Sequence, residues 1–190
     1  MSCGLMIIVS LLGLQAEGPV TGGTTKILYT RVRTTEPYMS ALERQGYDRS
    51  PTFRHLVDTL QHSNVIVVVQ PGMCRGGRIR SCLVGVAGSD RDRLIRIKVD
   101  PTHTIKDGLI AAVAHELQHA VEIAEHPEVT DAAGLLKLYR HLAFGRCHEG
   151  LSEECETTRA LTTETRVLKE LNERTTMPSA RVRSAEVLSF

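Results

Sequence analysis

Between Thr104 or Asp107 and about His126, apolar positions recur every three or four residues. Leu109, Ile110, Val113, Leu117, Val121 and Ala124 make one stripe, which predicts a helix that Pro127 stops. Upstream the period changes. Val65 to Val69 is an unbroken β-branched run that suits a strand buried on both faces, ended by Pro71-Gly72, and Gly76-Gly77 marks a loop. Arg80 to Ala87 and Leu94 to Val99 read as two more strands, joined across Gly88-Ser89-Asp90-Arg91-Asp92 as an antiparallel hairpin. In the second of these Arg96 and Lys98 alternate with Ile95, Ile97 and Val99, the pattern of an edge strand with one wet face.

The remaining segments follow the same rules. Ser50-Pro51 places a capping hydroxyl before a first-turn proline, and Phe53, Leu56, Val57 and Leu60 continue a helix to Ser63-Asn64. Lys26 to Arg33 suggests a short strand, and the stretch from Pro37 to Asp48 has no assigned element. A second helix is expected from Thr130-Asp131 to about Phe144, a linker between Gly145 and Gly150, and a third helix from near Ser152 to about Glu173. Strands followed by helices imply an α+β domain, with a short antiparallel or mixed sheet leading into the helix at 104–126 and two further helices.

With 190 residues, one domain is the default reading, and 23 basic against 22 acidic side chains give no positive field for nucleic acid. Leu5 to Leu14 is uncharged and too short to span a bilayer, so residues 1–16 are expected to be a signal peptide, 17–175 the domain and 176–190 a loosely held tail. The expected location is therefore exported, periplasmic or extracellular, without permanent membrane insertion. Removing a signal would remove Cys3 and leave Cys74, Cys82, Cys147 and Cys155. An even set suits disulfides, among which three pairings are open.

Candidate chemistry lies in the central helix, at His115-Glu116-Leu117-Gln118-His119. Residues four apart share a helix face, so both imidazoles can bind one Zn²⁺ while Glu116 reaches the water that the metal activates. Zinc brings such a water toward neutrality, and a nearby carboxylate can take its proton and pass it to a leaving amine. A catalytic zinc needs a third protein ligand and an open position. Glu122 is one turn past His119, but three ligands from one straight helix cannot surround a tetrahedral ion. Glu125 or His126 would serve only if the chain turned sharply after His119, which a glycine at 122 would permit and Glu122 does not. Among Glu153, Glu154 and Glu156, periodicity favours Glu156, which shares a stripe with Ala160, Val167 and Leu171. A carboxylate on a core-facing stripe needs a positive partner.

His115-Glu116-x-x-His119 followed by Glu156-Thr157-Thr158-Arg159-Ala160 resembles the gluzincins, and most of all small secreted bacterial zincin-like proteins, over about Thr104 to Leu171. The resemblance implies a zinc metallopeptidase with His115, His119 and Glu156 on the metal, Glu116 as general base, and a peptide or protein substrate lying along an edge strand, here Leu94 to Val99. Larger members add an oxyanion-stabilising His or Tyr, for which Tyr139, His141 and His148 are available in this chain. A second reading keeps the zinc in a catalytically inactive, zinc-stabilised binding or scaffold protein of the cell envelope. A third has no metal.

Overall fold

Val65, Val67 and Val69 are buried on one side of a strand, while Ile66, Val68 and Gln70 on the other side are only half-buried. That strand belongs to a computed structural model that describes residues 31–74, 80–102, 105–143 and 155–176. The expected signal peptide, residues 26–30, the loop at Gly76-Gly77, the linker with Cys147 and His148, Glu153, Glu154 and residues 177–190 lie outside the described residues.

The elements in order are β1 (Val32–Thr34), α1 (Pro37–Arg49), α2 (Pro51–Gln61), β2 (Val65–Pro71), β3 (Ser81–Gly88), β4 (Arg93–Val99), α3 (Lys106–Ala124), α4 (Ala132–Leu142) and α5 (Thr158–Thr176). The fold is α+β, a mixed four-stranded sheet with five helices. Strand order is β1-β2-β4-β3. β1, β2 and β4 run parallel, and β3 pairs antiparallel with β4 through the expected hairpin, with a bulge between Leu83 and Gly85.

This order corrects the sequence reading at two places. Leu94 to Val99 is not an edge strand, because β2 pairs with β4 on the side away from β3. Arg96 and Lys98 alternate with buried residues because they lie on the sheet face opposite the helices. The run Val65 to Val69 is likewise buried on one face only. Valines suit a pleated half-buried surface as well as a fully buried one, so the run alone could not distinguish them. β3 is the edge next to the helix that carries the motif, and among the described residues no strand pairs with its outer side.

Pro37 sits in the first turn of α1, a helix absent from the sequence reading, whose buried positions are Met39, Leu42, Glu43 and Gly46. Gly46 is required by close approach. A Cβ there would lie 2.8 Å from the Phe53 ring of α2 and 2.9 Å from Ile110 of α3. The N-caps of α2 and α4 are those expected: Ser50 Oγ accepts from Phe53 N, and Asp131 accepts from Gly134 N. Arg49 donates twice to Asp107, at 2.7 and 2.9 Å, and once to Leu171 O, tying α1 to the start of α3 and to α5. Cys74 and Cys82 form a disulfide between the chain after β2 and the edge strand. Cys155 is also disulfide-bonded.

Glu43 supplies a pH test of this packing. Its Oε1 is buried with no hydrogen-bond partner, and burial raises its carboxyl from 4.5 to about 7. Between those values the folded chain holds a proton that the unfolded chain has lost. Stability from this group is therefore full below about pH 4.5, falls as pH rises, and levels off above 7 at a cost of up to about 3 kcal/mol. Urea unfolding of Glu43→Gln should show a stability advantage over the parent that grows from pH 5 to 8. An advantage independent of pH would refute the buried-acid account.

Candidate metal centre

Helix α3 runs beneath the sheet with every residue from Gly108 to Ile123 buried, including His115, Glu116, Gln118, His119 and Glu122. Isolated ionisable groups are costly in such a place and must be paired. The pairing here is specific, and it divides each imidazole into an outer nitrogen that faces a carboxylate and an inner nitrogen that faces the other ligands.

For His119, Nδ1 lies 3.0 Å from Glu122 Oε2, and Glu122 is completely buried. The other oxygen of Glu122 accepts from Thr157 Oγ1 at 2.7 Å, and Thr157 Oγ1 in turn accepts from Ala160 N at the start of α5. For His115, Nδ1 lies 3.2 Å from Glu164 Oε2, and Glu164 Oε1 accepts from Arg80 at 2.7 Å. His115 Nε2 lies 2.9 Å from Glu156 Oε2, at an angle that makes no well-formed hydrogen bond, so this carboxylate oxygen is a buried atom without one. Ligand atoms of His115, His119 and Glu156 fall within 4.8 Å of one another.

These residues fit a zinc ion. Two imidazoles and a carboxylate converge, Glu122 meets the outer nitrogen of His119 and fixes its tautomer, Glu164 lies 3.2 Å from the outer nitrogen of His115 without a well-formed hydrogen bond, and one oxygen of Glu156 is buried with no hydrogen bond. The electrostatics agree. Burial pulls His115 down, but Glu156 and Glu164, with Glu116 nearby, raise it to about 10. His115 in turn holds Glu156 and Glu164 below the usual carboxylate range. The cluster is built around one positive charge, which a proton can supply and a metal ion can replace.

Glu116 stands on the edge-strand side. Its Oε1 accepts from Ser81 Oγ of β3 at 2.8 Å. Burial raises its carboxyl, opposed by His119, His115 and the Ser81 hydroxyl. A cleft of about 200 Å³ opens here, lined by Arg80, Ser81, Ala112, His115, Glu116, Glu156 and Glu164.

The four residues singled out in the sequence thus meet in one place, though Glu156 arrives differently than expected. Helix α5 begins at Thr158, so Glu156 lies in the chain just before it and is held by the capping Thr157, not by a helical stripe. The competing ligands point elsewhere: Glu125 makes two bonds to Arg159, and His126 is paired with Glu128. Tyr139, on α4, packs edge-on against the His119 ring with centroids 5.3 Å apart, whereas His141 is exposed. His148 lies outside the described residues.

Glu122 and Glu164 were missed as supporting groups. In the sequence Glu122 is considered only as a ligand, although its position three residues after His119 suits a partner for the outer nitrogen. Glu164 falls on the stripe of Ala160, Val167 and Leu171, and a carboxylate on a core-facing stripe is the signal that could have identified it. Replacing Glu122 by Ala should weaken zinc binding about 10- to 100-fold, measured by competition with a chelating dye. Unchanged affinity would show that His119 needs no such support.

Compared with known proteins, the chain matches no protein-family model, no curated protein and no solved structure.

Proposed function

We propose that this protein is a zinc-dependent peptide hydrolase, with His115, His119 and Glu156 as ligands and Glu116 as general base. The observation that carries the reading is the convergence of His115, His119 and Glu156, with ligand atoms within 4.8 Å of one another beside a cleft, and with the outer nitrogen of His119 held by the buried Glu122. Such supporting carboxylates are characteristic of metal sites.

When bound, the ion would polarise the scissile carbonyl and bring the attacking water within reach of deprotonation near neutral pH. Glu116 would take that proton at its carboxylate and return it to the departing amine. The Ser81 hydroxyl, which donates to Glu116 Oε1 at 2.8 Å, would hold the carboxylate in place beside the cleft. Glu122 and Glu164 would hold the imidazoles in orientation.

The substrate strand belongs on β3 in this reading, in place of Leu94 to Val99. Antiparallel pairing of Cys82 with Lys98, together with the bond from Asp100 N to Arg80 O, turns the main-chain groups of Ser81 and Leu83 away from β4, toward the edge with which no strand pairs among the described residues. An extended peptide added there would run past Ser81 and so past Glu116. Export and a peptide substrate remain part of the proposal; among the described residues no helix is long and apolar enough to cross a membrane.

Elemental analysis of the purified protein supplied with zinc is the test. One zinc per chain is expected, with loss in His119→Ala and in Glu156→Ala. A parent that binds none would end the enzyme reading, and retention in Glu156→Ala would move the third ligand elsewhere.

A further inference from the structure

Arg80 is the one guanidinium lining the cleft among the described residues. It precedes Ser81, whose hydroxyl holds Glu116, and a single carboxylate, that of Glu164, separates it from His115. Its side chain is about half exposed (49%) on the lining of the cleft, and the bond to Glu164 uses one terminal nitrogen of a five-donor fork. Such a fork matches a carboxylate in two-point contact.

Charge and size point the same way. The cleft carries Glu116, Glu156 and Glu164. With a divalent ion bound, its charge and that of Arg80 balance these three carboxylates, so an incoming anion is no longer repelled. At about 200 Å³ the cleft is smaller than the roughly 300–1,000 Å³ of ordinary ligand pockets, which suits a short stretch of substrate beside the cleaved bond.

We propose that Arg80 is a specificity residue that binds a carboxylate of the substrate close to the scissile peptide, either a free C-terminus or an acidic side chain. The assignment rests on the hydrolytic reading above for its setting. A purely positioning role, in which Arg80 acts only through Glu164 on His115, makes a different prediction and can be separated from it.

The test uses the zinc-loaded full chain and matched N-acylated peptides. One pair differs only in a C-terminal carboxylate or amide, the other in Glu or Gln next to the cleaved bond. At least one pair should favour the acid by about tenfold or more in kcat/KM, carried by KM, as expected for a charged hydrogen bond. The pair that responds identifies the source of the carboxylate. The preference should fall toward unity in Arg80→Gln and be partly kept in Arg80→Lys, which retains charge without the fork. Equal rates within both pairs in the parent, or a preference that survives in Arg80→Gln while both members slow alike, would overturn the proposal.

A binding measurement keeps the two ideas apart. Calorimetric titration of zinc-loaded Glu116→Gln with each peptide should show the acid bound about tenfold tighter, and adding Arg80→Gln should remove the difference. If the parent cleaves nothing but this difference is found, the hydrolytic reading falls and the carboxylate site stands. If the acid binds no tighter than its neutral partner in either pair, the site falls whatever the parent cleaves.

Discussion

Glu116→Gln is expected to lower kcat for peptide hydrolysis by about 10²- to 10⁴-fold, the usual contribution of a positioned general base, while zinc stays near one per chain. The substitution isolates proton transfer because little else changes. Gln has the shape of Glu, and its amide oxygen can still accept from Ser81 Oγ, which lies 2.8 Å from the native carboxylate. The proposed metal ligands His115, His119 and Glu156 are untouched. What disappears is the ability to accept and return a proton. A zinc-stabilised scaffold would be indifferent to the change, so zinc retention with lost turnover favours the enzyme, and equal turnover in variant and parent would remove Glu116 from the mechanism. Melting temperature should be measured beside it. Glu116 is buried and its charged form is penalised there, so the neutral Gln should leave stability equal or slightly higher.

How far the site could be read in the sequence depended on the period of each segment. His115, Glu116 and His119 were legible because one turn of helix fixes their relation, and the stripe from Leu109 to Ala124 identified the helix. The hairpin was legible from two alternating runs and a polar turn. Strand order was not. Alternation reports that one face is wet, and Arg96 and Lys98 give the same pattern on the open face of an interior strand as on an edge. Helix α1 was hidden because its buried stripe contains Glu43 and Gly46, residues that a hydrophobic pattern counts as breaks. Glu43 is tolerated there at the expense of a raised carboxyl, and Gly46 is present because Phe53 and Ile110 leave no room for a side chain.

The carboxylates around the imidazoles illustrate a related limit. A pattern of spacings can nominate ligands, since these must converge, but it does not show which acidic residues stand behind them. Glu122 comes from the same helix as His119, and Glu164 from a helix more than forty residues later. Only packing of α3 against α5 brings the second into contact. The capping of α5 by Thr157 then has two effects: it satisfies Ala160 N and, through the hydrogen bond to Glu122, fixes the chain on which Glu156 stands. The start of that helix and the candidate metal site are one structure.

Arg93→Met should cost about 2–3 kcal/mol and lower Tm by about 4–12 °C, a large loss of stability for a change outside the site. Arg93 is completely buried at the first position of β4, yet no carboxylate pairs with it at hydrogen-bond distance among the described residues. Its partners are the carbonyls where α3 ends. One terminal nitrogen donates to Ile123 O and His126 O at 2.7 Å and to Val129 O at 3.2 Å, and the other to Asn64 Oδ1 at 2.6 Å. The guanidinium satisfies carbonyls that a helix end leaves open and places its charge where the helix dipole is negative. Burial lowers its pKa, but an arginine starts high enough to stay charged. Met would fill most of the volume but remove the donors to Val129 O and Asn64 Oδ1, while Ile123 O and His126 O keep only their bonds from His126 N and Val129 N; Lys, a single point donor, should recover only part of the loss. The consequence reaches the motif, because this clamp fixes the end of α3 one turn beyond His119. Unfolding by heat and by urea measures the effect, and zinc content measured well below the lowered Tm should remain that of the parent. A loss under about 1 kcal/mol would mean that water replaces the guanidinium at the helix end and that the clamp does not set the position of α3.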